Sequence, residues 1–313
     1  MDTILNSLPR ERYEKCIEAS RRVRWEIDRD VIRGREFDHR RHFLPDALAR
    51  MERFQFLQGP ERRLLSQVQG RTYANMFALV ERFIGAKMME LSRGHALGDQ
   101  VVAESLVRLT DEELKHQELF RRLEAMMAKA MPAGYRFLPN PNDVANAVLA
   151  KSDWSVLGLT CCIEIFSLTH YRQSIDPAGD LCPLWKDVFL FHMKEESQHA
   201  ILDEMEWQRE DARLTDDARD AAVDDLIDLV AAVDGLVRLQ AGADAQYFCA
   251  VNARTLPPGD AARLADGLLG AYRWQYILSG VSVPRFQEVL RPMVTDAQMA
   301  RIGAALQPIV DGA

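Results

Sequence analysis

The chain has 313 residues but no uninterrupted run of about 18 apolar residues, the length a membrane-spanning helix needs. Its opening stretch, MDTILNSLPRERYEKC, lacks the basic, apolar, small-residue order of a secretory signal, so a cytoplasmic location is expected. Cysteine is scarce. The five thiols (Cys16, Cys161, Cys162, Cys182 and Cys249) are odd in number and contain no C-x-x-C pair. That argues against a disulfide framework and a thiolate zinc site, and the thiols read as reduced packing residues. Positive charge is also short. A net charge of −8 argues against bulk attraction to nucleic acid. No flavin or nicotinamide fingerprint appears. Nor is there an alternating strand pattern, a low-complexity tract or a long linker, so a single domain over 1–313 is expected.

What is present is helix signal. Apolar residues make up 48% and charged residues 27%, enough to bury a sizeable core. Helical patterns run over about 10–30, briefly after Pro45, then 60–92, 97–131, 143–150, 153–175 and 184–211. Thr215 reads as the N-cap of a long helix to about 254, and further segments follow at 259–279, 284–294 and 296–310. The stretches 33–45, 132–142 and 176–183 read as irregular. An all-α bundle follows.

Three of the seven histidines stand three residues after a glutamate: His39 after Glu36, His116 after Glu113, and His199 after Glu196. With 21 glutamates, chance alone supplies roughly half of one such pair. Glu36 and His39 lie in the irregular basic stretch RGREFDHRRHFLP and read as surface. The other two pairs lie inside long helices, where residues three apart share a face and can grip one ion. Upstream of each stands a glutamate in apolar surroundings: Glu81 in MFALVERFIGA and Glu164 in GLTCCIEIFSL. Such a carboxylate is costly to bury unless paired or bound to metal. Glu81 to Glu113 spans 32 residues, as does Glu164 to Glu196, and one shift of 83 residues maps the first triple onto the second. Two helical hairpins related this way bring four carboxylates and two imidazoles to one centre, the arrangement of di-iron and di-manganese carboxylate bundles. The donor types suit iron or manganese.

Glu112 and Glu195, each just before a motif glutamate, read either as acceptors for the outer nitrogen of a ligand histidine or as a solvated helix face. His192 breaks the symmetry. It stands four before Glu196 and seven before His199, while its counterpart 83 residues earlier is Leu109. It joins a stripe that already carries two ligand candidates.

With that histidine, His192-Met-Lys-Glu-Glu196-Ser-Gln-His199 resembles the p-aminobenzoate N-oxygenase (arylamine N-oxygenase) family of diiron oxygenases. Glu112-Glu113-Leu-Lys-His116 is similar to that family's first motif. Tyr73 to Glu81 and the apolar helix around Glu164 resemble the segments with the lone glutamates. The resemblance covers roughly residues 43–210. It implies a ferritin-like bundle with extra helices at both ends and a metal core at about 60–210. It implies seven ligands, Glu81, Glu113, His116, Glu164, His192, Glu196 and His199, holding two iron ions or a manganese–iron pair. The implied chemistry is O2 activation through a peroxo-diferric species that N-oxygenates a small amine, with an arylamine as the implied substrate class. Without a flavin or nicotinamide motif, electrons are expected from an external donor or from the substrate; no nucleic-acid or membrane partner is expected, and a homodimer is compatible.

Substrate-pocket candidates are Tyr73, Phe77, Thr160 and Leu168, each also readable as packing, with Thr160 able to bond back to a carbonyl one turn earlier. Arg273 and Arg285 read as surface arginines or as a clamp for a substrate carboxylate. Trp154, Trp185, Trp207 and Trp274 read as packing. The ligand pattern also fits a diiron carbon hydroxylase or desaturase. An iron-storage or iron-sensing bundle fits less well, because the chain is long and carries extra helices.

Overall fold

A computed structural model describes residues 10–313. Most of the segment read for a secretory signal therefore lies outside the described residues. Among them no helix is long and apolar enough to cross a membrane.

The architecture is an all-α bundle with extra helices before and after its core. Its helices are α1 (Arg10–Arg22), α2 (Asp46–Ala49), α3 (Gly59–Arg93), α4 (Gln100–Ala130), α5 (Pro141–Leu149), α6 (Asp153–His170), α7 (Pro183–Asp211), α8 (Asp216–Val251), α9 (Pro258–Arg273), α10 (Pro284–Leu290) and α11 (Asp296–Asp311). Sequence cues set several boundaries. The backbone N–H of Gln58 donates to Glu61 at 2.8 Å, closing a capping box ahead of α3, with Pro60 in the first turn. Asp99 caps α4, and the Thr215 hydroxyl accepts the Ala218 N–H at 3.3 Å to start α8.

The core is two antiparallel hairpins, α3 against α4 and α6 against α7. Gln117 reaches the Glu81 carbonyl at 3.3 Å across the first. Lys87, 1% exposed at its side chain, links α3 to the start of α6 through Asp153 at 2.6 Å. In the second hairpin a Cβ on Gly158 would sit 2.7 Å from Cζ2 of Trp207. Only glycine lets the indole lie against the α6 backbone there. α1 packs across α4 and α7, and α8 with α9 closes the other side.

The structure corrects the expected helices where periodicity misleads. The segment 10–30 is not one helix: α1 stops at Arg22 and a π-helical turn follows at Ile27–Ile32. The helix over 153–175 relaxes into a π-helical turn at Tyr171–Ile175. The one over 259–279 does so at Trp274–Leu278 before a last turn, Ser279–Val281. α8 ends at Val251, three residues before the expected limit.

Candidate metal centre

The two hairpins face each other with their acidic stripes inward. Glu81 comes from α3, Glu113 and His116 from α4, Glu164 from α6, and His192, Glu196 and His199 from α7; each is at most 2% exposed. Two groups of donor atoms form. One is Glu81, His116, His192 and Glu196; the other is Glu113, His116, Glu196 and His199; within each, the donor atoms lie within 4.8 Å of one another. The groups share His116 and Glu196, which makes Glu196 central. His192 Nε2 lies 2.8 Å from Glu81 Oε1 and 3.1 Å from Glu196 Oε1. Glu164 belongs to neither group; it is buried, and close enough to Glu196 to feel its charge.

The imidazole tautomers are set from outside. His116 Nε2 lies 2.8 Å from Glu195 Oε2, and His199 Nε2 lies 2.9 Å from Glu112 Oε2. Each motif's preceding glutamate thus holds the histidine of the other motif, a crossed arrangement that follows from the pairing of two similar hairpins. A glutamate carboxylate accepts the Nε2–H, so the Nδ1 lone pair of each ring faces inward. Ser20 donates to Glu112 Oε1 at 2.6 Å and Gln198 to Glu112 Oε2 at 2.7 Å. Lys115 pairs with Glu195.

The inward atoms are otherwise unspent. Glu81 Oε2, both oxygens of Glu113, Glu196 Oε1, and Nδ1 of His116 and His199 are buried without hydrogen-bond partners. Orphaned acceptors of this kind are strongly unfavourable unless a cation meets them. Fully ionised, the four inward carboxylates would carry four negative charges, which two divalent ions would balance. Burial drives Glu81 and Glu164 well above the usual carboxylate range. Burial lowers His192 to about 3, so it offers a neutral lone pair. The donor set fits a pair of iron or manganese ions.

Of the pocket candidates, Phe77 stands edge-on to the His192 ring at a centroid distance of 5.1 Å. The Thr160 hydroxyl bonds back to Leu157 O at 3.1 Å. The Tyr73 hydroxyl is taken up by His170. Leu168 packs half-buried on the core. None of the four lines the large cavity of about 730 Å³, which lies between α6, α8 and the C-terminal helices. Glu36 is exposed and His39 half-buried against Phe43, away from the cluster. Arg273 departs from the surface reading: it is 6% exposed and bidentate on Asp234 at 2.7 and 3.0 Å. Arg285 is half exposed and engages Glu204 at 2.8 Å, so neither arginine is a free carboxylate clamp.

Sequence reasoning missed three contributors. Trp25 stacks on His116 with ring centroids 5.9 Å apart and planes 10° apart. Ser20 comes from the same N-terminal region, which the 83-residue repeat does not reach. Asp203, wholly buried with both oxygens unpartnered, stands one turn beyond His199, and that spacing was its available signal.

No family model matches the chain, and no curated protein matches it. Among solved structures, it is similar to a point mutant of an R2-like ligand-binding oxidase with an aerobically reconstituted Mn/Fe cofactor. The TM-score is 0.44 and the identity 14%, over 87% of this chain and 93% of that one. The site is therefore interpreted from its own geometry.

Proposed function

We propose that this bundle is an O2-dependent oxidoreductase that holds two metal ions, both iron or one iron and one manganese, and oxidises a small amine at nitrogen. The observation that carries the metal reading is the ring of buried, partnerless donor atoms on Glu81, Glu113, His116, Glu196 and His199. Once bound, such a pair supplies redox equivalents for O2 activation. The chain's own residues supply the rest. Glu112 and Glu195 orient His199 and His116 for ligation through Nδ1. His192 adds a third neutral imidazole beside Glu81 and Glu196. Phe77, Phe120 and Phe189 wall the His192 side and keep water away from it.

Nitrogen as the oxidised atom, and an arylamine as the substrate class, rest on the resemblance of the His192–His199 segment to the arylamine N-oxygenases. Anaerobic Fe(II) loading, then O2 and a panel of arylamines with mass spectrometry of the products, tests it. Hydroxylamine, nitroso or nitro products support the reading. Oxidation at carbon alone, with two metals bound, favours the hydroxylase alternative.

A further inference from the structure

A second buried constellation lies beside the metal centre. Tyr73 sits on α3 two turns before Glu81 and is wholly buried. Its Oη lies 2.8 Å from Nδ1 of His170, whose Nε2 lies 2.8 Å from Oγ of Ser279. Ser279 Oγ donates its one proton to the Gln275 carbonyl at 3.0 Å. A serine whose proton is spent accepts, so the proton on His170 is at Nε2. Its Nδ1 is then bare and accepts the Tyr73 O–H. Burial lowers His170 to about 3 and pushes the Tyr73 phenol well above its usual range, so the pair rests neutral.

The backbone is shaped to make this chain. His170 is the last residue of α6 before one π-helical turn, and Ser279 follows another. A Cβ on Gly280 would sit 2.6 Å from Cys162 Sγ, so a glycine lets this turn lie against α6. The Tyr73 ring also begins a short aromatic ladder. It is 4.9 Å from Phe77, whose ring is 5.1 Å from His192. On its other side, at 6.1 Å, stands Tyr276, a residue that borders the large apolar cavity.

We infer that Tyr73 and His170 form a proton-coupled electron relay to the metal centre, Tyr73 giving one electron through Phe77 towards His192 while its phenolic proton passes to His170 Nδ1. The inference rests on the proposed reading that the Glu81–His199 cluster holds redox-active metals. The Tyr73 O–H bond breaks, an N–H bond forms on His170, and Tyr73 becomes a neutral phenoxyl. The oxidant is O2, whose reduction at the metal centre takes up the electron. An external one-electron reductant returns the electron, and the proton goes back from Nδ1 to Oη. A buried phenol cannot easily be oxidised while keeping its proton, because the resulting cation is unsolvated. His170 does not remove that charge but takes it onto an imidazole, a far stronger base than the oxidised phenol.

The test is rapid-freeze electron paramagnetic resonance of the full chain, loaded anaerobically with Fe(II), assayed for metal, then mixed with O2. Wild type is expected to show an organic radical that narrows with ring-deuterated tyrosine and gains a nitrogen coupling altered by ¹⁵N-histidine. Among the described residues Tyr73 is the one tyrosine hydrogen-bonded to a histidine, so this labelling identifies it without a variant. Tyr73→Phe should remove the signal, and His170→Gln should slow its formation by roughly a hundredfold at unchanged metal content. No tyrosine radical in a chain with two metals bound and oxidised overturns the relay, as does a radical that survives Tyr73→Phe. Failure of the metal to bind appears in the assay before O2 is added; it overturns the metal reading, and the relay with it.

Discussion

At the scale of single residues, charge and lone pairs decide the account. The outer hydrogen bonds of His116 and His199 are as telling as the inward atoms, because each fixes which nitrogen faces the ions. Glu195→Gln or Glu112→Gln should lower metal affinity by about 10–100-fold while keeping the side-chain shape, measured by chelator competition. His192→Ala should leave less than two metal equivalents stably bound; an unaltered pair of ions would remove the main residue linking this site to N-oxygenation. A separate residue controls how stability varies with pH. Burial raises Asp244 to about 7, although Thr72 (2.6 Å), Gln240 (2.9 Å) and Tyr272 donate to it. Between the ordinary carboxylate value and about 7, the folded chain holds a proton that the unfolded chain has released. This contribution is fully present below that window and is lost as pH rises through it. Asp244→Asn should flatten the fall in unfolding free energy from pH 5 to pH 8, read by urea titration; an unchanged slope would contradict the assignment.

At the scale of elements, close helix packing sets where the side chains meet. Gly158 lets Trp207 press on α6, so Gly158→Ala should cost about 1–3 kcal/mol by overpacking against a rigid ring, visible as a lower urea midpoint at unchanged slope. The long helices were legible because apolar spacing and the Thr215 cap are local signals. The π-helical turns were not, since one widened turn scarcely disturbs the periodicity around it. The repeat of Glu81, Glu113 and His116 at 83 residues was legible for the same reason the helices were: it is arithmetic on one face of each. Trp25, Ser20 and the His170–Ser279 contact depend on how distant segments pack, and no local spacing announces them. Arg273 was misread because nothing in its neighbourhood reveals that Asp234, on another helix, buries it.

At the scale of the whole molecule, the core hairpins and the added helices do different work. α1 and the turn after it cover the metal-facing side with Ser20 and Trp25. α8 to α11 instead wall an apolar cavity of about 730 Å³ on the opposite face of α6, bordered by Cys162, Leu226, Tyr276 and Phe286. The bundle interior concentrates carboxylates that favour folding only when cations balance them, so metal should act as a folding ligand. At about a hundredfold excess over the dissociation constant, binding should add roughly 2.7 kcal/mol, seen as a higher Tm that chelator reverses. A Tm indifferent to Fe(II), Mn(II) and chelator would contradict that coupling. The most direct measurement for the central claim is metal content after anaerobic loading with Fe(II), alone and with Mn(II), in wild type, Glu113→Ala and Glu196→Ala. The account predicts two equivalents in wild type and a loss of bound metal in both variants, larger for Glu196→Ala because Glu196 belongs to both donor groups. Fewer than one equivalent in wild type, or full loading of both variants, would contradict it.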